Sequence, residues 1–340
     1  MHPTPLVHTT RGYLPDSRFI ENVHYGSVAV VDLAGNLVHG AGDPHQPIFT
    51  RSTIKPFQAL PFLLDDGPAT LGLTEEELAL MCASHSGEER HVAGAASLLA
   101  KAGFGEQHLR CGCHVPMHYE VMGRTPPADA RWNQLHHNCS GKHSGFLAYC
   151  RLHGHAPDDY IAPAHPLQQR IRSILAALAG LQESDLPMGL DGCSAPNYAL
   201  PLSRLAHLFA RLAQGRRDPQ YGAAMGDLFD AMTRHPGMVS GENRSDVFYM
   251  EAGGGDWVAK VGADGVQLIG IRSLGIGIAV KIVDGNNKAA QTAAVSALRQ
   301  LGLLDSRGEE LIRRYAVQPI LNAAGRHAGD IEAVFSLRKY

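Results

Sequence analysis

Three short stretches place nucleophile and base side chains at spacings that chemistry can use. In RSTIKPFQAL (residues 51–60), Ser52 and Lys55 stand three apart, so a helix brings them to one face. A serine hydroxyl attacks poorly unless a neighbour takes its proton, and a desolvated lysine close to a second cation can do so. In CASHSGEERH (82–91), Ser84 and Ser86 fall between two helical patterns. In AKVGADGV (259–266), Lys260 lies on a strand pattern, from which it can supply that second cation and polarise Ser84 towards a leaving group. Ser52 opening a helix would also turn a backbone N–H towards a developing oxyanion. Only 7 of the 30 basic residues are lysine, and lysine, unlike arginine, can lose its proton near neutrality once buried. The competing reading makes Ser52 a helix cap, Ser84 a helix end and Lys260 a solvated strand residue. A further Ser-x-x-Lys, Ser336 to Lys339, falls on an end of the chain expected to fray and is read as accidental.

Serine hydrolases of the penicillin-recognising type carry Ser-x-x-Lys, a second serine element and Lys-Thr-Gly on a strand, in that order. Ser52/Lys55, Ser84 and Lys260-Val-Gly262 repeat the order, although the third motif lacks its hydroxyl residue. A separate cluster occurs in NCSGKHSGFLAYC (138–150), where Cys139, Lys142 and His143 fall at i, i+3 and i+4 of a helix that they begin. A thiol at a helix N-terminus has its thiolate favoured by the helix dipole. Cys193, in DGCSAPNY just after Asp191, is a candidate partner, and two thiolates with a nitrogen ligand suit zinc. From spacing alone the cysteines are equally well buried small hydrophobes, and lysine must shed its proton to ligate. The cluster fails as a phosphate loop, because no glycine precedes Gly141 at the required spacing and His143 replaces the hydroxyl residue.

The elements that must position these groups follow from periodicity. FIENVHYGSVAVVD and LVHGAG alternate like a hairpin. Residues from about 51 to 237 are mostly helical in pattern, with capping boxes expected at Thr74/Glu77 and Ser86/Glu89 and a stop at Gly103. Pro56 suits a first helical turn, whereas Pro61 predicts a kink or an early end. HPLQQRIRSILAALAG, YALPLSRLAHLFARLAQG and the run from Asp218 to Arg234 read as further helices. RSDVFYMEAG, DWVAKVGADGVQLIGIRS and LGIGIAVKIVDG read as strands, and AAQTAAVSALRQLGLL as an amphipathic helix. The expectation is an α+β fold, one domain over 1–340, with a sheet part (about 1–50 and 238–340) and a helical part (about 51–237).

Composition narrows the function. Net charge is −3 with no basic run, which excludes an electrostatic footprint for nucleic acid. No apolar run approaches the roughly 20 residues that span a bilayer, and no apolar leader is visible, so a cytoplasmic location is expected. Six cysteines in 340 residues then read as thiols or ligands, not as a disulfide framework.

Taken together, RSTIKPFQ, ASHSGEERHV, NCSGKHSGFL, DGCSAPNYALPL, HPGMVSGENRSD and AKVGADGV resemble the Rhizobium-type L-asparaginases, the asparaginase II family, from about residue 20 onwards. The resemblance implies a serine β-lactamase/penicillin-binding-protein-like fold, a homodimer, and hydrolysis of L-asparagine through an acyl-enzyme. It implies Ser52 with Lys55 as one catalytic pair, Ser52 being the nucleophile, and Ser84 with Lys260 as the second. It implies zinc on Cys139, Lys142 and Cys193, with water as fourth ligand and the metal shaping substrate binding rather than generating the nucleophile. Asp191 and His143 would then touch the substrate or support the metal, and Arg244 is proposed beside them from its neighbourhood. Glutaminase or β-lactam hydrolase activity, a metallohydrolase and a ligand-binding regulator on an inactive scaffold are the alternatives.

Overall fold

The computed structural model describes residues 2–12 and 18–340. The strands are β1 (Thr4–Arg11), β2 (Phe19–Asp32), β3 (Leu37–Ala41), β4 (Pro47–Phe49), β5 (Met188–Leu190) and β6 (Pro196–Pro201). They continue with β7 (Trp257–Gly262), β8 (Val266–Ile271), β9 (Ile276–Ile282), β10 (Val317–Leu321), β11 (His327–Ala333) and β12 (Arg338–Lys339). The chain forms two compact units, and the fold is α+β.

The sheet unit holds the described residues up to Thr53, Leu200–Ala213 and Phe248–Tyr340. Its antiparallel order is β10-β11-β1-β2-β9-β8-β7, with β3 also paired to β2 and β12 to β3. β2 is long enough to pair β1 with its first half and β3 with its second, while β9 runs along its other edge. Its second half, Gly26–Val31, is buried throughout. Asp264 and Gly265, both left-handed (φ 58° and 70°), close the β7–β8 hairpin that carries Lys260. The helix Leu202–Gln214, although it falls mid-chain, joins this sheet. Gly270 and Gly277 let it approach, since a Cβ on Gly277 would overlap the Ala206 carbonyl.

The helical unit holds Ile54–Ala199 and Gln214–Val247. Its centre is the helix Ser140–His153, buried on every side from Ser140 to Cys150, which is the pattern of a core helix rather than a surface one. Gly141 and Gly145 nest it against Leu80 and Met81 of the helix Glu75–Met81. Around it stand the helices Lys55–Leu64, Glu89–Lys101 and Pro166–Ala179.

Local rules mostly hold. Thr74 and Glu77 form the expected capping box, Gly103 is left-handed at the end of Glu89–Lys101, and Pro56 sits in the first turn. Pro61 is tolerated inside Lys55–Leu64, which stops three residues later. Four expectations are corrected. Glu88, not Ser86, caps Glu89–Lys101, reciprocally with His91, because the Ser86 hydroxyl bonds the Ser240 carbonyl instead. RSDVFYMEAG contains the helix Ser245–Ala252, not a strand. Tyr198–Pro201 finishes β6 before the helix starts. Arg338 and Lys339 pair β3 and are not frayed. Among the described residues no helix is long and apolar enough to cross a membrane.

Candidate active site

Lys55 is the first residue of its helix and is 1% exposed. Its Nζ donates to Ser84 Oγ at 2.9 Å and to the Ala83 carbonyl at 2.5 Å. Both partners are neutral oxygens, and no carboxylate pairs with Lys55 among the described residues. Lys55 thus meets the serine of the second motif.

Ser84 is held from both sides. Its N–H donates to the Val239 carbonyl at 2.9 Å, and the next amide, His85, donates to the Asn138 carbonyl at 3.1 Å. The His85 ring anchors the same loop: Gly87 N–H donates to Nδ1 (3.1 Å), and Nε2 lies 2.9 Å from Ser140 Oγ. With Nδ1 accepting, the neutral ring carries its proton on Nε2 and donates it to Ser140, whose own hydroxyl donates to the Leu135 carbonyl. Burial first, then the positive fields of His91 and Lys55, push the His85 pKa well below its ordinary value, so the ring stays neutral. His91 stacks on it at 4.9 Å.

Ser52 lies in the sheet unit, in a 3₁₀ turn (Arg51–Ile54), and does not open an α-helix. Arg51 just before it is left-handed (φ 48°), a conformation disfavoured for a side chain with a Cβ and often found where function demands it. Arg51 pairs with Asp264 in the β7–β8 turn. A Cβ on Gly262 would fall 3.0 Å from Thr53 Cγ2 and 3.3 Å from the Thr50 carbonyl, so the end of β7 runs hard against this turn. Lys260 shares a strand face with Gly262, is 0% exposed, and its Nζ is 2.9 Å from the Val261 carbonyl. The sheet unit therefore gathers the Ser52 turn and the Lys260 strand in one place.

In the helical unit Cys139, Lys142 and Cys193 converge. Cys139 precedes the helix Ser140–His153, and Lys142 Nζ lies 3.0 Å from Cys193 Sγ. The three side chains are 2–3% exposed. Hydrogen bonding from Cys139 and the Lys142 charge outweigh burial and hold the Cys193 thiol far below its usual range, while Cys139 is pushed well above it by the same bond and by burial. Burial alone would lower Lys142, but the Cys193 and Cys139 charges reverse this and raise it. Among the described residues no group of three or more His, Cys, Asp or Glu side chains is placed to hold a metal. Two thiols and an amine are a different set, and their donor chemistry fits zinc once Lys142 has lost its proton. Asp191 Oδ2 is 3.8 Å from Cys193 Sγ. A Cβ on Gly192, between Asp191 and Cys193, would meet nothing within 4 Å.

His143 is fully buried beside this cluster. Its Nδ1 is 2.7 Å from Tyr160 Oη, and its Nε2 has no conventional hydrogen-bond partner. Arg244 is in the same unit but in a different neighbourhood, with Nη1 3.5 Å from Met117 Sδ and its charge felt by His91. It belongs to the segment that holds the Ser84 loop, where Ser240 accepts from Ser86 and Glu242 N–H donates to Glu88. His85, Tyr160 and Arg51 were not singled out by sequence. Nineteen histidines dilute any one of them, and left-handed backbone at a non-glycine leaves no mark in the sequence.

The profile of the L-asparaginase II family matches residues 7–333. No curated protein sequence matches the chain. Among solved structures, Mglu in its native form aligns at TM-score 0.47 and 16% identity over 83% of this chain and 65% of its own. The chain thus spans about two thirds of the length of that neighbour. Mglu in its glutamate form aligns at TM-score 0.47 and 16% identity, over 82% of this chain and 61% of its own. A β-lactamase from Mycobacterium bovis aligns at TM-score 0.42 and 13% identity, over 85% of this chain and 94% of its own.

Proposed function

The chain belongs to the L-asparaginase II family, amidohydrolases of small molecules, and from that premise we propose that it hydrolyses the side-chain amide of L-asparagine to L-aspartate and ammonia. The observation that supports this most is a buried amine, Lys55, resting on a serine hydroxyl and a carbonyl with no carboxylate in attendance. Ser52 attacks the amide carbon, and Lys55, one helical turn along the chain, takes its proton. The carbonyl oxygen becomes an oxyanion, and the tetrahedral intermediate collapses when the leaving nitrogen is protonated and departs as ammonia. Ser84 and Lys260 carry that proton. Water then attacks the β-aspartyl ester, with the same groups acting in reverse.

Cys139, Lys142 and Cys193 would hold zinc, with Asp191 and His143 beside them. When bound, the zinc supplies a fixed positive charge for recognising the substrate, and a Ser-Lys system needs no nucleophile from it. Asp191 is suited to the substrate's α-ammonium, and Arg244 is assigned to its α-carboxylate. A homodimer and a cytoplasmic location complete the reading.

Ammonia release from L-asparagine and L-glutamine, measured side by side, tests the substrate. A pocket one methylene too small costs glutamine only about 1–3 kcal/mol, so a preference of roughly 10–200-fold for asparagine is expected. Ser52→Ala should lower kcat by at least about 10³-fold in a protein that still unfolds at the wild-type temperature. Retention of most activity would sink the mechanism. Release from neither amide, with acylation by a penicillin reporter, would move the protein to the β-lactam alternative.

A further inference from the structure

We propose that Tyr160 is a positioning residue: it fixes the ring proton of His143 on Nε2, so that His143 faces the Cys139–Lys142–Cys193 cluster as a hydrogen-bond donor and not as a ligand. Tyr160 is 0% exposed. Its Oη accepts from the Arg110 backbone N–H at 2.8 Å and lies 2.7 Å from His143 Nδ1. A buried phenol proton needs an acceptor, because a buried donor left unpaired keeps its full desolvation penalty. If Oη accepted from both Arg110 and His143, its own proton would be stranded. Donation to Nδ1 satisfies the Arg110 N–H, the Tyr160 hydroxyl and Nδ1 together, and it forces the proton of a neutral imidazole onto Nε2.

The rest of the surroundings agree. The His143 ring meets Tyr160 edge-on, with centroids 5.5 Å apart at 75°. Gln168 Nε2 grips the Tyr160 carbonyl at 2.9 Å, locking the phenol from its backbone side. His143 Nε2 has no conventional partner in the protein, yet lies close enough to Cys193 to act on its thiol. The N–H that this tautomer creates is therefore on the ring nitrogen not engaged by Tyr160, in a ring that lies beside Cys193. The opposite tautomer would offer a lone pair there, a fourth protein ligand closing the position that a substrate-facing metal site keeps open. That consequence rests on the zinc reading given above, but the tautomer itself does not.

The test uses metal-free, full-length protein labelled with ¹⁵N-histidine, with the His143 nitrogens identified by their loss in His143→Gln. Long-range ¹H–¹⁵N spectra should show Nε2 protonated in the wild type and a mixed or reversed pattern in Tyr160→Phe. Gln168→Leu, which loosens Tyr160 but keeps its hydroxyl, should leave the wild-type pattern. An Nδ1-protonated ring in the wild type overturns the proposal without any variant having to fold, as does an unchanged ring in Tyr160→Phe. Zinc affinity, read by competition with a chromophoric chelator, should change by about 10–100-fold in Tyr160→Phe, and an unchanged affinity refutes the positioning role. Absence of zinc binding by the wild type would sink the zinc reading alone, with the nitrogen spectra still deciding the tautomer.

Discussion

Lys55 and Lys142 are both buried lysines of the helical unit, 1% and 3% exposed, and they keep opposite company. Lys55 faces a carbonyl and a hydroxyl. Lys142 faces sulfur, with the Cys193 and Cys139 charges raising its affinity for its proton against the effect of burial. Burial therefore does not decide what a lysine is for. Its partners do: oxygen partners set Lys55 against a serine, and sulfur partners make of Lys142 either an ion-pair member or, once its proton is displaced, a metal ligand.

The sharpest way to break this contrast is to replace each lysine by arginine, which keeps the charge and cannot act as a base. Lys55→Arg should lose about 10²–10⁴-fold in kcat. Lys142→Arg should stay folded, bind no zinc in a chelator competition, and lose only as much activity as metal removal does. Equal losses from the two variants would collapse the distinction. Metal removal comes next in size. Dialysis against a chelator should weaken asparagine turnover mainly through KM, with activity surviving, whereas complete loss would make the thiolate cluster the catalytic centre.

The smallest effect sharpens the comparison through the histidines that frame Ser84. His85 and His91 are both held neutral, chiefly by burial, with pKa values below the ordinary one of about 6.5. In the unfolded chain they take up protons below about pH 6.5, while in the folded chain they do so only at lower pH. The unfolded state then binds more protons, so stability is full above about pH 6.5 and falls as the pH drops below it. The slope is at most about 1.4 kcal/mol per pH unit per histidine. The pKa values of Asp65 and Glu77 are lowered by their partners, so their contributions are lost only below the ordinary carboxylate range, which leaves pH 5–6.5 to the histidines. Urea midpoints across that window should fall with pH, and His85→Gln should make the fall shallower without abolishing it, since burial lowers His136, His137, His143, His165 and His207 as well. A flat wild-type profile would contradict the neutral pair.

Much of this was legible in the sequence, because the chemistry sits on short local spacings. Ser52/Lys55, Cys139/Lys142/His143 and Lys260 each declared themselves within a helical turn or a strand. The hairpin of FIENVHYGSVAVVD with LVHGAG did too, through alternation, and it is the β2–β3 pairing. What stayed hidden lacked a local signature. The helix Ser245–Ala252 reads as a strand because Val247, Phe248 and Tyr249 favour β structure. Its buried positions 245, 246, 249 and 250 do follow a helical period, but two of them are Ser and Asp, which erases the apolar pattern. Ser86 fits a capping box, yet its hydroxyl is taken by a carbonyl 154 residues away. Tyr160 acts on His143 from 17 residues along the chain, across a loop with no periodicity. The contact between Lys55 and Ser84 is likewise tertiary, as sequence spacing had paired Lys55 with Ser52 alone.

The pairing of β1 with β11 also has a consequence for how the protein is made. Thr10 bonds across to Asp330, a separation of 320 residues, so β1 must wait for a strand made 320 residues later. At about 5–20 residues per second that wait is roughly a quarter of a minute to a minute, with one edge of β1 uncovered. The helical unit is under no such delay, because its chain is complete at Val247. Lys55, Ser84 and all three thiolate-cluster donors can be in place before Lys260 has been translated. The nascent protein can thus hold its sulfur site formed while Lys260 is still unwritten.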